Sequence, residues 1–176
     1  MKFFRYLAAL LPLAVALAVA ADPDSTPAPA GDVTFREPFT LKLHVDKEHY
    51  YEQHFERIPY VFKGGVYLFK GDRFGVTLDV NDGAVRAVAY QPKFETADVT
   101  FAFSQDVAAD GTEMMLLIIR NHTKYRIAVD ALMTVPDREA PLGTSILPIE
   151  PGLSGYESWP HPIVQLLLHD IRIDTG

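Results

Sequence analysis

The residues from 44 to 57 read HVDKEHYYEQHFER, which brings His44, Asp46, Glu48, His49, Glu52, His54 and Glu56 within thirteen positions. Imidazoles and carboxylates at this density could hold Zn²⁺ or Cu²⁺, since imidazole serves both metals. The spacing argues against it. His49 and His54 are five apart and do not stack on one helix face, and no HExxH pair occurs. His44, His49, Glu52 and His54 are the metal-ligand candidates of the chain, and the competing reading is a solvated strand end of mixed charge. No cofactor is expected, because no Gly-rich phosphate loop, thiol motif or dinucleotide fingerprint is present.

Nucleophilic chemistry has one candidate. In GLSGY, Ser154 lies between glycines, but the second glycine comes one position too early for G-x-S-x-G, and no strand-turn-helix context surrounds it. His161 and Asp170 follow without a spacing that ties them to it. Hydrolysis of a glycosidic bond needs two carboxylates across a cleft. Glu150, Glu157 and Asp170 stand among aromatic residues that sugars could stack on, yet nothing in the spacing sets two of them face to face. No catalytic residue is assigned, and a carbohydrate-active enzyme or a metal-binding protein using residues 44–56 are the alternatives to a binding protein.

Large rings are concentrated between residues 49 and 62. Tyr50, Tyr51, Phe55 and Tyr60 could form a surface that recognises a partner, because a tyrosine ring can be buried while its hydroxyl stays wet. The bland alternative is that they close one end of a core. Near the C-terminus, GYESWPHPIVQLLLHDIRI holds the only tryptophan, Trp159. Pro160 and Pro162 lack N–H donors, so this segment precedes the strand proper. Trp159 is expected as a structural anchor over one end of the core, with His161 in an exposed loop. Val164, Leu166 and Leu168 share a parity that Ile171 and Ile173 do not, and a β-bulge at His169-Asp170 would reconcile them.

The elements that must carry these residues follow a period of two. Phe39 to Val45, Phe74 to Val80, Val99 to Phe103 and Tyr125 to Val135 alternate apolar and polar positions, the pattern of half-buried strands. Lys63-Gly64-Gly65, Lys70-Gly71-Asp72, Asn81-Asp82-Gly83, Asp110-Gly111 and Asn121-His122-Thr123-Lys124 supply turn chemistry between them. Asn121-His122-Thr123 also matches a glycosylation sequon and is read as a turn. Met114 to Ile119 and Ile163 to Leu168 are apolar on both sides, as for strands covered on both faces. A short helix is expected at Lys47 to Phe55. Eight or nine strands indicate an all-β antiparallel β-sandwich, with immunoglobulin-like topology preferred and a small closed barrel as the second choice.

The N-terminus carries Lys2 and Arg5, then an uncharged apolar run from Tyr6 to Ala20 and a small-residue site. That is the layout of a signal peptide over residues 1–21, followed by a Pro/Ala-rich tether at 22–37 and a single domain at 38–176. Without the leader's two cations the charge falls from −7 to −9, which disfavours nucleic acid and anionic lipid. Export combined with the absence of cysteine fits the periplasm of a Gram-negative bacterium, with an envelope protein, peptide or glycan as partner and no stable membrane insertion after cleavage. The segments LLIIRNHTKYRIAVDALM and ESWPHPIVQLLL make the chain similar to a group of uncharacterised exported bacterial proteins. The resemblance implies export and one β-domain, and no catalytic residue.

Overall fold

The computed structural model describes residues 33–108 and 112–175. Twelve strands follow one another: β1 (Phe39–His44), β2 (Tyr50–Phe55), β3 (Val61–Phe62), β4 (Gly65–Leu68), β5 (Arg73–Asn81), β6 (Ala84–Gln91), β7 (Val99–Val107), β8 (Glu113–Asn121), β9 (Ile127–Thr134), β10 (Leu142–Ser145), β11 (Ser154–Trp159) and β12 (Gln165–Ile173). Among the described residues a single 3₁₀ turn, Phe94–Thr96, joins β6 to β7. Two hairpins follow directly from their turn residues. Lys63-Gly64 (φ 48° and 76°) and Asp82-Gly83 (φ 51° and 73°) take paired left-handed conformations, the geometry that lets a two-residue loop match strand twist.

Three antiparallel sheets result. The first has the order β10-β9-β12-β4-β3, the second β11-β8-β7-β5-β6, and β1-β2 is a separate hairpin. Period-two alternation aims Val66, Leu68, Ala131, Met133, Leu166 and Leu168 inward from the first sheet. From the second it aims Phe74, Val76, Phe101, Phe103, Leu117 and Ile119, and all belong to one buried cluster. The result is a β-sandwich, with neither sheet closed into a barrel. An immunoglobulin domain orders its strands ABED and CFG. Here β5 to β8 all lie in one sheet and the last strand sits between β9 and β4, so the sandwich is realised with a different strand order.

Two expectations need correction. The segment read as a helix is strand β2, in register with β1 from Phe39–Phe55 to His44–Tyr50. Asp46 accepts the N–H groups of Glu48 and His49 (2.8 and 2.9 Å), which turns the chain back and lets β2 pair with β1 instead of coiling. The tether expected to reach residue 37 ends sooner. Phe35 bridges to Pro59, and Arg36 is 5% exposed. Its guanidinium pairs with Asp72, donates to the carbonyls of Pro59 and Tyr67, and lies 4.0 Å from the Tyr60 ring centroid. A buried arginine holds only with such partners, and these clamp the N-terminal entry onto β4. The leader and the rest of the tether fall outside the described residues.

The bulge at the end of β12 is present. His169 pairs with Asp130 and Arg172 with Ala128, so three steps on β12 oppose two on β9, and the side-chain parity switches. Asp170 takes φ 50° there, with Arg172 donating to its carboxylate and carbonyl.

Candidate functional site

Hairpin geometry disperses the metal candidates. His44 faces Tyr50, Lys42 faces Glu52 and Thr40 faces His54. His44 and His54 therefore stand at opposite ends of the hairpin, about 13 Å apart along a strand. His49 lies in the turn and bonds to Asp46 at 2.8 Å; the backbone N–H of Glu48 first, then the His49 ring, holds the Asp46 carboxyl below its ordinary value. Among the described residues no group of three or more His, Asp or Glu could hold a metal ion.

The four rings do not make one surface either. Tyr50 is 48% exposed, but Tyr51, Phe55 and Tyr60 pack against the core. Phe55 stacks on Phe39 at 5.3 Å, and Tyr60 stacks on Tyr90 at 4.3 Å.

Possible catalytic groups are equally scattered. Ser154 opens β11 on the second sheet, Asp170 sits in the bulge of the first, and His161 lies in the link between them. Glu150 pairs with Arg126, and Glu157 accepts the backbone N–H of Leu147. Trp159 is 8% exposed, meets Phe103 edge-on at 6.5 Å and donates its ring N–H to Thr144. It ends β11, however, and does not lead directly into β12.

What the fold assembles lies on the outer face of the second sheet. Register places Arg73, Ala102, Ile118 and Tyr156 side by side across β5, β7, β8 and β11. The next rung carries Thr100, Arg120 and Ser154. The 3₁₀ turn at Phe94–Thr96 crosses this face over Gly75, where a Cβ would come within 2.4 Å of the Ala97 Cβ and 2.9 Å of the Val99 carbonyl. Only glycine lets the turn lie so close, and it raises Phe94 and Glu95 as a wall. The groove has a volume of about 490 Å³, is open to solvent and includes His122 in its lining.

Two features give this groove its chemistry. Among the described residues Arg36, Arg126 and Arg172 each pair with a carboxylate; Arg73 and Arg120 do not, a property they share with Arg57, Arg86 and Arg138, but these two line the same groove. Arg73 lies 4.8 Å from the Phe94 ring centroid, and Glu95 is the one acid lining the groove. The floor is also uncovered. Met114 to Ile119 was expected to be covered on both sides, yet only Met115, Leu117 and Ile119 are buried, while Met114, Leu116 and Ile118 face outward. Tyr156 beside them is 67% exposed.

Asn121 organises the end of the groove. It is fully buried, so the Asn121-His122-Thr123 sequon offers no accessible acceptor in the folded chain. Its amide donates to the carbonyls of Tyr125 and Ile149, and its oxygen accepts from the Thr123 N–H and hydroxyl. Its backbone N–H donates to Leu153. These bonds tie the loop bearing His122 to the loop that starts β11.

Neither a family model, nor a curated protein, nor a solved structure matches the chain. The sequence signals for this site were weak because Arg73, Arg120 and Tyr156 come from three strands. Arg120 and Tyr156 fall in no alternating run of the sequence, and Arg73 stands only at the margin of the run Phe74 to Val80.

Proposed function

We propose that the protein is an exported, non-catalytic binding or accessory protein of the cell envelope, and that it takes an acidic ligand on the outer face of the second sheet. The observation that carries the reading is the pair of arginines without carboxylate partners on one uncovered face of a chain whose net charge is −7. Guanidinium groups bind carboxylates with paired, charge-assisted hydrogen bonds, and the exposed Tyr156 ring on the neighbouring strand β11 adds area. Export rests on the leader layout of residues 1–21. No helix among the described residues is long and apolar enough to cross a membrane, which is compatible with a periplasmic location.

Photo-crosslinking in the producing cell tests this. A benzophenone side chain replacing Glu95 on the groove wall is expected to capture an envelope component. The same group replacing Glu52 on the β1-β2 hairpin is expected to capture none. Equal capture at both positions, or capture at Glu52 alone, would refute the assignment of the face.

A further inference from the structure

We infer that the ligand of this face is a carboxylated oligosaccharide, bound along the line from Arg73 to Arg120; this rests on the binding reading above and gives it a ligand class. Three features of the face select that chemistry.

The first is backbone satisfaction. β5, β7 and β8 are each paired on both sides, so the floor offers no free N–H or C=O ladder. A peptide recognised by strand addition needs a sheet edge; Arg73 and Arg120 stand on the inner strands β5 and β8, and only Ser154 and Tyr156 lie on the edge strand β11. A ligand seated on the two arginines is held there through side chains.

The second is the pairing of charge with a wet ring. Tyr156 presents its ring beside Ile118 on a floor without a deep enclosing cavity. A pyranose has an apolar C–H face that lies flat on such a ring and hydroxyls that remain in water or meet polar neighbours. Ser154 and the Tyr156 phenol supply polar partners at the rim. A wholly apolar ligand would leave both guanidinium groups unused. A bare inorganic anion would leave the ring unused.

The third is spacing. Arg73 and Arg120 are two strands apart and one rung offset, which sets their Cα atoms about 12 Å from each other. Tyr156 stands on β11, beyond Arg120, so the three side chains span four strands of the sheet. An extended chain of acidic sugars carries a carboxylate at each repeat and can meet both guanidinium groups while a further ring rests on Ile118 and Tyr156.

The experiment is calorimetric titration of the purified protein with three probes: an oligouronate tetramer, the same tetramer with its carboxyls reduced to alcohols, and poly-glutamate. The uronate is expected to bind one-to-one. Reduction should abolish binding, and Arg73→Ala and Arg120→Ala should each weaken it by about tenfold or more, the loss of a charged hydrogen bond. Tyr156→Ala should weaken it as well, with an unchanged melting temperature in all three variants. Equal binding of the reduced tetramer, or binding of poly-glutamate without the uronate, would overturn the acidic-sugar inference while leaving a binding face in place. Uronate binding insensitive to Arg73→Ala and Arg120→Ala would overturn the inference too. Crosslinking at Glu95 with no response to any probe refutes only the sugar class, and silence in both experiments refutes the binding reading itself.

Discussion

Replacing Asn121 probes the joint on which one end of the groove depends. In Asn121→Ala all four side-chain hydrogen bonds disappear. The Tyr125 carbonyl keeps a bond from the Thr123 hydroxyl, and the Ile149 carbonyl keeps one from the Ile127 N–H. These losses therefore cost about 1 kcal/mol each. The Thr123 N–H loses the acceptor it had at 2.9 Å, and a partly buried orphan donor costs at least about 1 kcal/mol. The total is about 3 kcal/mol. Asn121→Asp sharpens the test, because a buried carboxylate would face two carbonyl oxygens. Burial and these dipoles raise its folded-state pKa above the unfolded value. Its stability deficit should therefore be smallest below the unfolded pKa and grow as pH rises through the folded one. Urea unfolding followed by Trp159 fluorescence at pH 5 and pH 7 measures both variants. An Asn121→Ala protein within about 1 kcal/mol of wild type, or an Asn121→Asp protein equally stable at both pH values, would refute this reasoning.

Gly75→Ala forces a methyl into the Ala97 side chain and the Val99 carbonyl; it should cost about 1–3 kcal/mol by overpacking and lift the 94–96 turn, seen as lost groove binding and a lower melting temperature. Trp159→Ala should cost about 3–5 kcal/mol, as for a large aromatic removed from a core, and an unchanged urea midpoint would mean that the ring does not support the core. Glu113 has its carboxyl raised above the ordinary value, first by burial and then by Asp46, with His161 opposing. A raised carboxylate pKa makes the folded state lose stability as pH climbs from the unfolded to the folded value. Glu113→Gln should thus gain melting temperature relative to wild type between pH 4 and pH 7, and a constant difference across that range would contradict the assignment.

The alternating runs at Phe74 to Val80 and Val99 to Phe103 were legible as strands because half-burial imposes period two. The parity break between Leu168 and Ile171 even located a bulge. Strands with less contrast were not legible. AVRAVAYQ of β6 lies at a sheet edge and is half-buried along its length, so it shows no clean alternation. β2 reads locally as a helix because its pattern is ambiguous until β1 is placed beside it. Arg36 illustrates the same limit, since a cation in a polar, proline-rich stretch reads as tether until Asp72 and the carbonyls of Pro59 and Tyr67 surround it. The candidate site was hidden for a related reason. Dense local clusters such as 44–56 attract attention, whereas the groove is built from single residues contributed by separate strands through register.

Amide-shift mapping of the isotopically labelled protein during titration with the oligouronate tetramer tests the central claim most directly. The account predicts shifts concentrated at Arg73, Ala102, Ile118, Arg120, Ser154 and Tyr156, with the 39–55 hairpin unchanged. Shifts confined to that hairpin, or to the outer edge of β6, would contradict the assignment of the binding face.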